Sequence, residues 1–269
     1  MSAPAPTEAS RDTRRTIVAR SSPKPGSYVS SASWTYLPFC GFRSPSNAWR
    51  SFDLRDLVFY GFDLMDEAEL MPYGEDAALT YQVGLFMATL GCRCVRLATI
   101  LSTDIDRNGF VEPGRGWVEM PEDGEWWFHW PASVNKNGET IRTTVPTPLR
   151  PRLERWVGHF RKALAGSVRN HALFVSRLTG NRWSKGQARE AFKGAMLRRF
   201  QIAMPPHLVR DVNAAFICET MPQEVMDGML TEILAHLDPR SDVHYVEMVK
   251  AGWASGRLVR AMIEVRDGT

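Results

Sequence analysis

Three short stretches concentrate side chains able to hold an anion and move a proton. Leu90-Gly91-Cys92-Arg93 puts an arginine just after the glycine that ends an apolar helical run. His207-Leu208-Val209-Arg210 spaces a histidine and an arginine three apart, so on a helix both point to one face. Leu234-Ala235-His236 is followed, nine residues after the histidine, by Tyr245. A guanidinium offers a rigid fork of donors to phosphate or carboxylate. Histidine titrates near neutrality. A tyrosine hydroxyl, with a pKa near 10, is a weak nucleophile until it is oriented and relieved of its proton. Each stretch alone is weak, because a lone arginine at a helix junction, or a lone tyrosine on an amphipathic helix, is more often structural. Their order and spacing as a set is the specific signal.

The elements that must position these groups sharpen from Glu75 onward. Acids at Glu75-Asp76 open a helix whose apolar positions include Leu79, Val83, Leu85, Phe86 and Leu90, and Gly91 ends it. A short helix is expected from Cys94 to Leu101. Three β-like runs follow, Gly116 to Met120, Glu125 to Trp130 and Glu139 to Val145, with Asn137-Gly138 as a strong hairpin signal between the last two. Helices are then expected over Pro148 to Leu164, Ser184 to Gln201, Pro206 to Thr220, Pro222 to His236 and Ser241 to Trp253, with a final one from Gly256 to Val265. Ser241 is a good N-cap for the helix bearing Tyr245. The fold class is α+β, mainly α, with a small three-stranded antiparallel sheet. Ahead of it, residues 1–26 are rich in Pro, Ser, Ala and Thr and read as a flexible basic arm. Residues 27–72 read as irregular loops and short helices. The expected catalytic domain is 73–255, and 256–269 is a C-terminal helix or tail.

The chain has 269 residues, 44% hydrophobic and 23% charged, enough to bury a sizeable core, which excludes collagen-like, wholly disordered and disulfide-scaffold classes. Its longest nearly apolar stretch, between Tyr81 and Cys94, runs about 12 residues before charge interrupts it, short of the roughly 20 a spanning helix needs. Arg14-Arg15 is not followed by an apolar run, so no secretory or twin-arginine signal is expected. The four cysteines, Cys40, Cys92, Cys94 and Cys218, form neither a CxxC pair nor half a zinc site and read as reduced thiols in a cytoplasmic protein. Between Leu149 and Arg210 there are fourteen Arg or Lys against two acids. Acids predominate from Phe52 to Ala77. On charge alone, the basic stretch reads equally as a phosphate-binding surface or a solvated helix face.

The set of motifs resembles the tyrosine recombinase (phage integrase) family over about Glu75 to Lys250. The family's first arginine, in a TGLR context, corresponds to Arg93. Its hairpin lysine corresponds to Lys136 in Lys136-Asn137-Gly138-Glu139-Thr140-Ile141-Arg142-Thr143-Thr144-Val145-Pro146. HxxR corresponds to His207 and Arg210, and LGH with its tyrosine to His236 and Tyr245. The resemblance implies a bacterial, DNA-associated, site-specific recombinase or integrase of a mobile element. It would act on double-stranded DNA without a cofactor or metal, as a homo-tetramer there and a monomer or dimer off it. Tyr245 would attack the phosphate to give a 3′-phosphotyrosine and a free 5′-hydroxyl. Arg93, Arg210 and His236 would hold the phosphate, Lys136 would protonate the leaving oxygen, and His207 would assist proton transfer. The chemistry suits the residue types: guanidiniums stabilise developing charge, and a lysine on a mobile hairpin tip can serve as general acid.

Three positions depart from the family pattern. Arg96 stands where an acid is usual, Asp211 where a histidine is usual, and Ala235 replaces the glycine of LGH. An Arg96–Asp211 pair would compensate two of these. Ser27 to Pro72 is too short and irregular for the helical core-binding domain that precedes the family's catalytic domain, so either the chain is a catalytic fragment or its clamp is built differently. Rival readings are a type IB topoisomerase-like enzyme and a DNA-binding regulator on the same fold. His236, Asp242 and His244 lack a four-ligand spacing for metal. His129, His159, His171 and the nine tryptophans read as structural, and no phosphate-loop, serine-hydrolase or zincin motif is present.

Overall fold

The computed structural model describes residues 52–93, 95–106, 112–166 and 170–220. The basic arm, the helices expected from Pro222 onward, and His236 and Tyr245 with them, lie outside these residues.

Two long helices form the frame. Helix α1 (Leu54–Leu70) is capped by Asp53, whose carboxylate accepts the Arg55 backbone N–H at 2.8 Å. It buries Leu57, Gly61, Leu64, Met65 and Ala68. The expectation of loops and short helices over 27–72 is corrected at Leu54–Leu70, which form one helix of 17 residues. The helical period is present, but Gly61 occupies one of its buried positions and the aromatics Phe59 and Phe62 blur its edge. Helix α2 (Glu75–Cys92) is buried almost throughout from Ala77 to Gly91, as a helix apolar on all sides must be. Its one long buried polar side chain, Gln82, is satisfied from both ends. The amide donates to the Val175 carbonyl at 3.0 Å and accepts the Val175 N–H at 2.8 Å.

The helices touch backbone to backbone. A Cβ on Gly84 would stand 2.5 Å from the Gly61 carbonyl oxygen, and one on Gly61 would stand 2.7 Å from the Gly84 oxygen. Gly84→Ala should lower the urea midpoint, because overpacking costs about 1–3 kcal/mol and outweighs the ~1 kcal/mol alanine gains in helix propensity. Gly194→Ala, with nothing within 4 Å of its added methyl, should raise the midpoint. Equal signs for the two would show that close approach does not govern this crossing.

The sheet has four strands, β1 (Thr103–Ile105), β2 (Gly116–Glu119), β3 (Trp127–Trp130) and β4 (Ile141–Thr144), in that spatial order. The β2–β3 and β3–β4 pairs are antiparallel as expected. The added strand β1 runs parallel to β2, with Asp104 opposite Trp117. The sequence expectation of three strands is corrected to four, since three residues are too few to display a period. Beyond β1 the chain at 171–173 pairs again, with the Ile105 N–H on the His171 carbonyl at 2.7 Å and the Leu173 N–H on the Thr103 carbonyl at 2.9 Å. The inner face buries Val118, Phe128 and Trp130. The outer face stacks Trp117 on His129 and sets the Arg142 guanidinium over Trp127. These tryptophans are sheet and core residues, as the sequence implied.

The remaining helices surround this frame. α4 (Arg150–Arg155) and α5 (Arg161–Ala165) are joined by a π-type turn, Trp156–Phe160. α6 (Lys185–Phe200) starts at a capping box between Ser184 and Gln187. A 3₁₀ turn at Pro206–Leu208 leads into α7 (Val209–Thr220), which packs on α1 and α2. The architecture is mainly helical with a small sheet.

Candidate functional site

Arg93 closes α2 and turns the chain toward the sheet. Its backbone is extended, with its N–H still donating to the Thr89 carbonyl at 2.9 Å. Its half-buried guanidinium reaches across to β4. Nη2 and Nε donate to the Thr144 carbonyl at 2.5 and 3.2 Å, and Nη1 donates to the Cys92 carbonyl at 3.0 Å. A planar fork satisfying carbonyls on two elements fixes the end of α2 against the last residue of the hairpin. The neighbouring Cys92 is a free thiol whose pKa burial pushes up.

The hairpin joining β3 to β4 carries Lys136, which is exposed. A turn closes around it: the Gly138 N–H donates to the Asn135 carbonyl at 3.0 Å, and Gly138 has φ +71°, where glycine bears no Cβ penalty. The Asn135 amide spans the limbs of the loop, donating to the Trp130 carbonyl at 3.0 Å and the Glu139 carbonyl at 2.7 Å. Its oxygen accepts from the Thr99 hydroxyl at 3.0 Å. Asn137 accepts from Arg96 Nη1 at 3.0 Å. The short helix α3 (Leu97–Leu101) thus supports the loop. Where the sequence reading expected a mobile tip, the asparagines on both sides of Lys136 are hydrogen-bonded outward. Arg96 thus reaches this loop through Asn137. The Asn-Lys-Asn-Gly run marked the turn, but not that its asparagines would bond outward. The habit of Asn side chains to satisfy nearby backbone was the available signal.

His207 is exposed within the 3₁₀ turn and Arg210 is half-buried in the first turn of α7. The helix begins two residues after His207, not before it, although a 3₁₀ turn also nearly eclipses positions three apart. His236 and Tyr245 fall outside the described residues.

Much of the basic excess between 149 and 210 is consumed internally. Arg152 pairs with Asp66, Arg155 with Glu69 at 2.9 Å, and Arg177 with Glu75 and Asp76 at 3.0 and 2.7 Å. The Arg155 guanidinium holds the Glu69 carboxyl below its usual range. Arg182 donates to the buried Asp104 at 2.5 Å, and Arg161 to the Ala172 carbonyl at 2.8 Å. Four of the eight acids between Phe52 and Ala77, namely Asp66, Glu69, Glu75 and Asp76, are thus counterions of the basic stretch. A solvent-facing cationic stripe persists on α6, where Lys185, Arg189 and Lys193 are exposed one turn apart.

Of the tyrosines described, Tyr81 is fully buried, stacked on Phe160 at 4.4 Å, with its hydroxyl donating to the Arg152 carbonyl at 3.0 Å. Burial pushes its pKa well above the ordinary tyrosine value. It is a core residue. His129 stacks on Trp117 and lies 2.8 Å from the Glu119 carboxylate, and His159 packs against Tyr73, the structural roles the sequence suggested.

No protein-family description matches the sequence, and no curated protein does. Solved structures similar in arrangement include three of recombinases. The crystal structure of XerA recombinase is 12% identical, with a TM-score of 0.46 over 74% of this chain and 63% of that one. XerH site-specific recombinase bound to palindromic difH substrate, a post-cleavage complex, is 14% identical, with a TM-score of 0.43 over 77% of this chain and 52% of that one. The pre-cleavage complex of XerH with difH is 15% identical, with a TM-score of 0.41 over 72% and 49%. The chain spans between 49% and 63% of the length of these structures. Among the described residues, no helix is long and apolar enough to cross a membrane.

Proposed function

We propose that the chain cuts and rejoins double-stranded DNA through a 3′-phosphotyrosine, as a site-specific recombinase of the tyrosine type. The observation that carries this reading is the junction between Arg93 and the Lys136 hairpin. The arginine expected to hold a phosphate is hydrogen-bonded to the strand that leaves the loop, and α3, which follows it, braces the loop of the expected general acid. A phosphate-binding group and a proton donor on one rigid junction suit transfer at a single phosphodiester. The exposed stripe on α6 supplies charge for a polyanion.

In this scheme the Tyr245 oxygen attacks phosphorus and its proton passes to His207. The bond from phosphorus to the 5′ oxygen breaks, and Lys136 delivers a proton to that oxygen. Arg93, Arg210 and His236 hold the non-bridging oxygens as charge develops. Rejoining is the reverse, with the incoming 5′-hydroxyl displacing the tyrosine. Four protomers would bring two sites together and exchange strands in pairs. The scheme calls on no cofactor.

The test is covalent capture. Protein is incubated with a randomised pool of nicked duplexes, and DNA migrating with denatured protein is recovered and sequenced. Adduct on a subset of sequences supports the reading. Binding with no adduct overturns it in favour of a non-cleaving regulator, and supercoil relaxation without strand exchange in favour of a topoisomerase. Lys136→Ala should be slow on the best ordinary duplex and close to wild type when sulfur replaces the bridging 5′ oxygen, since thiolate leaves without a proton. Equal slowing on both strands would move the acid elsewhere, with His207 the first candidate.

A further inference from the structure

The segment from Arg93 to Thr99 touches the β3–β4 hairpin at three places. Arg93 holds Thr144 at the end of β4. Arg96 Nη1 donates to Asn137 Oδ1 at 3.0 Å, and the Thr99 hydroxyl donates to Asn135 Oδ1 at 3.0 Å. Asn135 and Asn137 flank Lys136, which itself faces solvent. Thr99 is only 1% exposed, so its hydroxyl is a fixed anchor. The Asn135 amide then carries that anchor to both limbs of the loop through Trp130 and Glu139. Neither neighbour of Lys136 can swing without breaking a bond to α3 or to Arg96, the residue that precedes it.

We propose that Arg96 and Thr99 are positioning residues that fix the Lys136 loop relative to Arg93 before DNA arrives. This rests on the strand-transfer reading above and adds a device that reading does not require. It also gives Arg96 a role. An ionised carboxylate at position 96 accepts only and could not donate to Asn137 Oδ1, whereas the guanidinium donates to it from a residue three beyond Arg93. A general acid must sit within hydrogen-bond reach of the oxygen it protonates, so a preset loop shortens the search for that geometry.

The test uses the full chain and two readouts. In hydrogen exchange without DNA, Arg96→Met and Thr99→Val should each speed exchange of the amides from Lys136 to Gly138 about tenfold or more, leaving α2 and α6 unchanged. In covalent capture on the best duplex from the randomised pool, each variant should be about tenfold slower than wild type on ordinary DNA. Each should approach wild type on the sulfur-bridged strand, as Lys136→Ala does. Arg96→Lys, which keeps a donor, should recover part of both effects. Unchanged exchange in the loop overturns the brace. Faster exchange with equal slowing on both strands overturns the link to proton donation and assigns the two residues to stability or binding. Absence of adduct with wild-type protein overturns the strand-transfer reading itself, and the exchange data still decide whether the brace exists.

Discussion

Tyr245→Phe is expected to keep DNA binding and to lose the covalent adduct entirely. The substitution removes one oxygen and leaves the ring, so binding surface and helix propensity are nearly unchanged while the nucleophile is gone. The tyrosines among the described residues are poor substitutes. The Tyr81 hydroxyl is committed to the Arg152 carbonyl inside the core, and burial holds its proton on. Tyr60 is 8% exposed, and desolvation pushes its pKa up as well. Tyr73 is exposed, with its hydroxyl on the His159 carbonyl at 3.4 Å, and would be the first residue to test if adduct persisted in Tyr245→Phe. Denaturing gels of protein incubated with the captured duplex provide the measurement, and a filter-binding curve run in parallel shows that binding survives.

Arg93→Ala and Arg210→Ala should each slow adduct formation by roughly 10² or more, because loss of one preorganised donor to a developing oxyanion costs about 3 kcal/mol. Lysine should rescue poorly at either position, since an ammonium cannot form the fork. Arg93 needs a second measurement, for its guanidinium also bonds the Thr144 and Cys92 carbonyls. A urea midpoint for Arg93→Ala and Arg93→Lys separates lost structure from lost chemistry. Full stability with cleavage reduced 10² assigns the effect to the phosphate. Near-wild-type cleavage by Arg93→Lys would show that bidentate contact is not the mechanism.

What the sequence determined by itself is what depends on neighbours a few residues apart. The end of α2 near Gly91, the turn at Asn137-Gly138 and the cap of α6 at Ser184 were all readable from local spacing. Local sterics and capping bonds decide these features. Tertiary structure decided the rest. Helix α1 was illegible because one of its buried positions is Gly61, whose value lies in its approach to Gly84, 23 positions later. Strand β1 exists because a parallel partner and the chain at 171–173 exchange hydrogen bonds with it. The charge asymmetry read equally as a phosphate-binding surface or a solvated helix face. Only the fold brings Arg152, Arg155 and Arg177 onto the acids of α1 and the start of α2, leaving the stripe on α6 facing solvent. The motif singled out Lys136, yet the hydrogen bonds to the asparagines beside it were invisible, because those from Arg96 and Thr99 span 41 and 36 positions. Local pattern names a residue that can act, and contacts between distant segments decide whether it is held where it can.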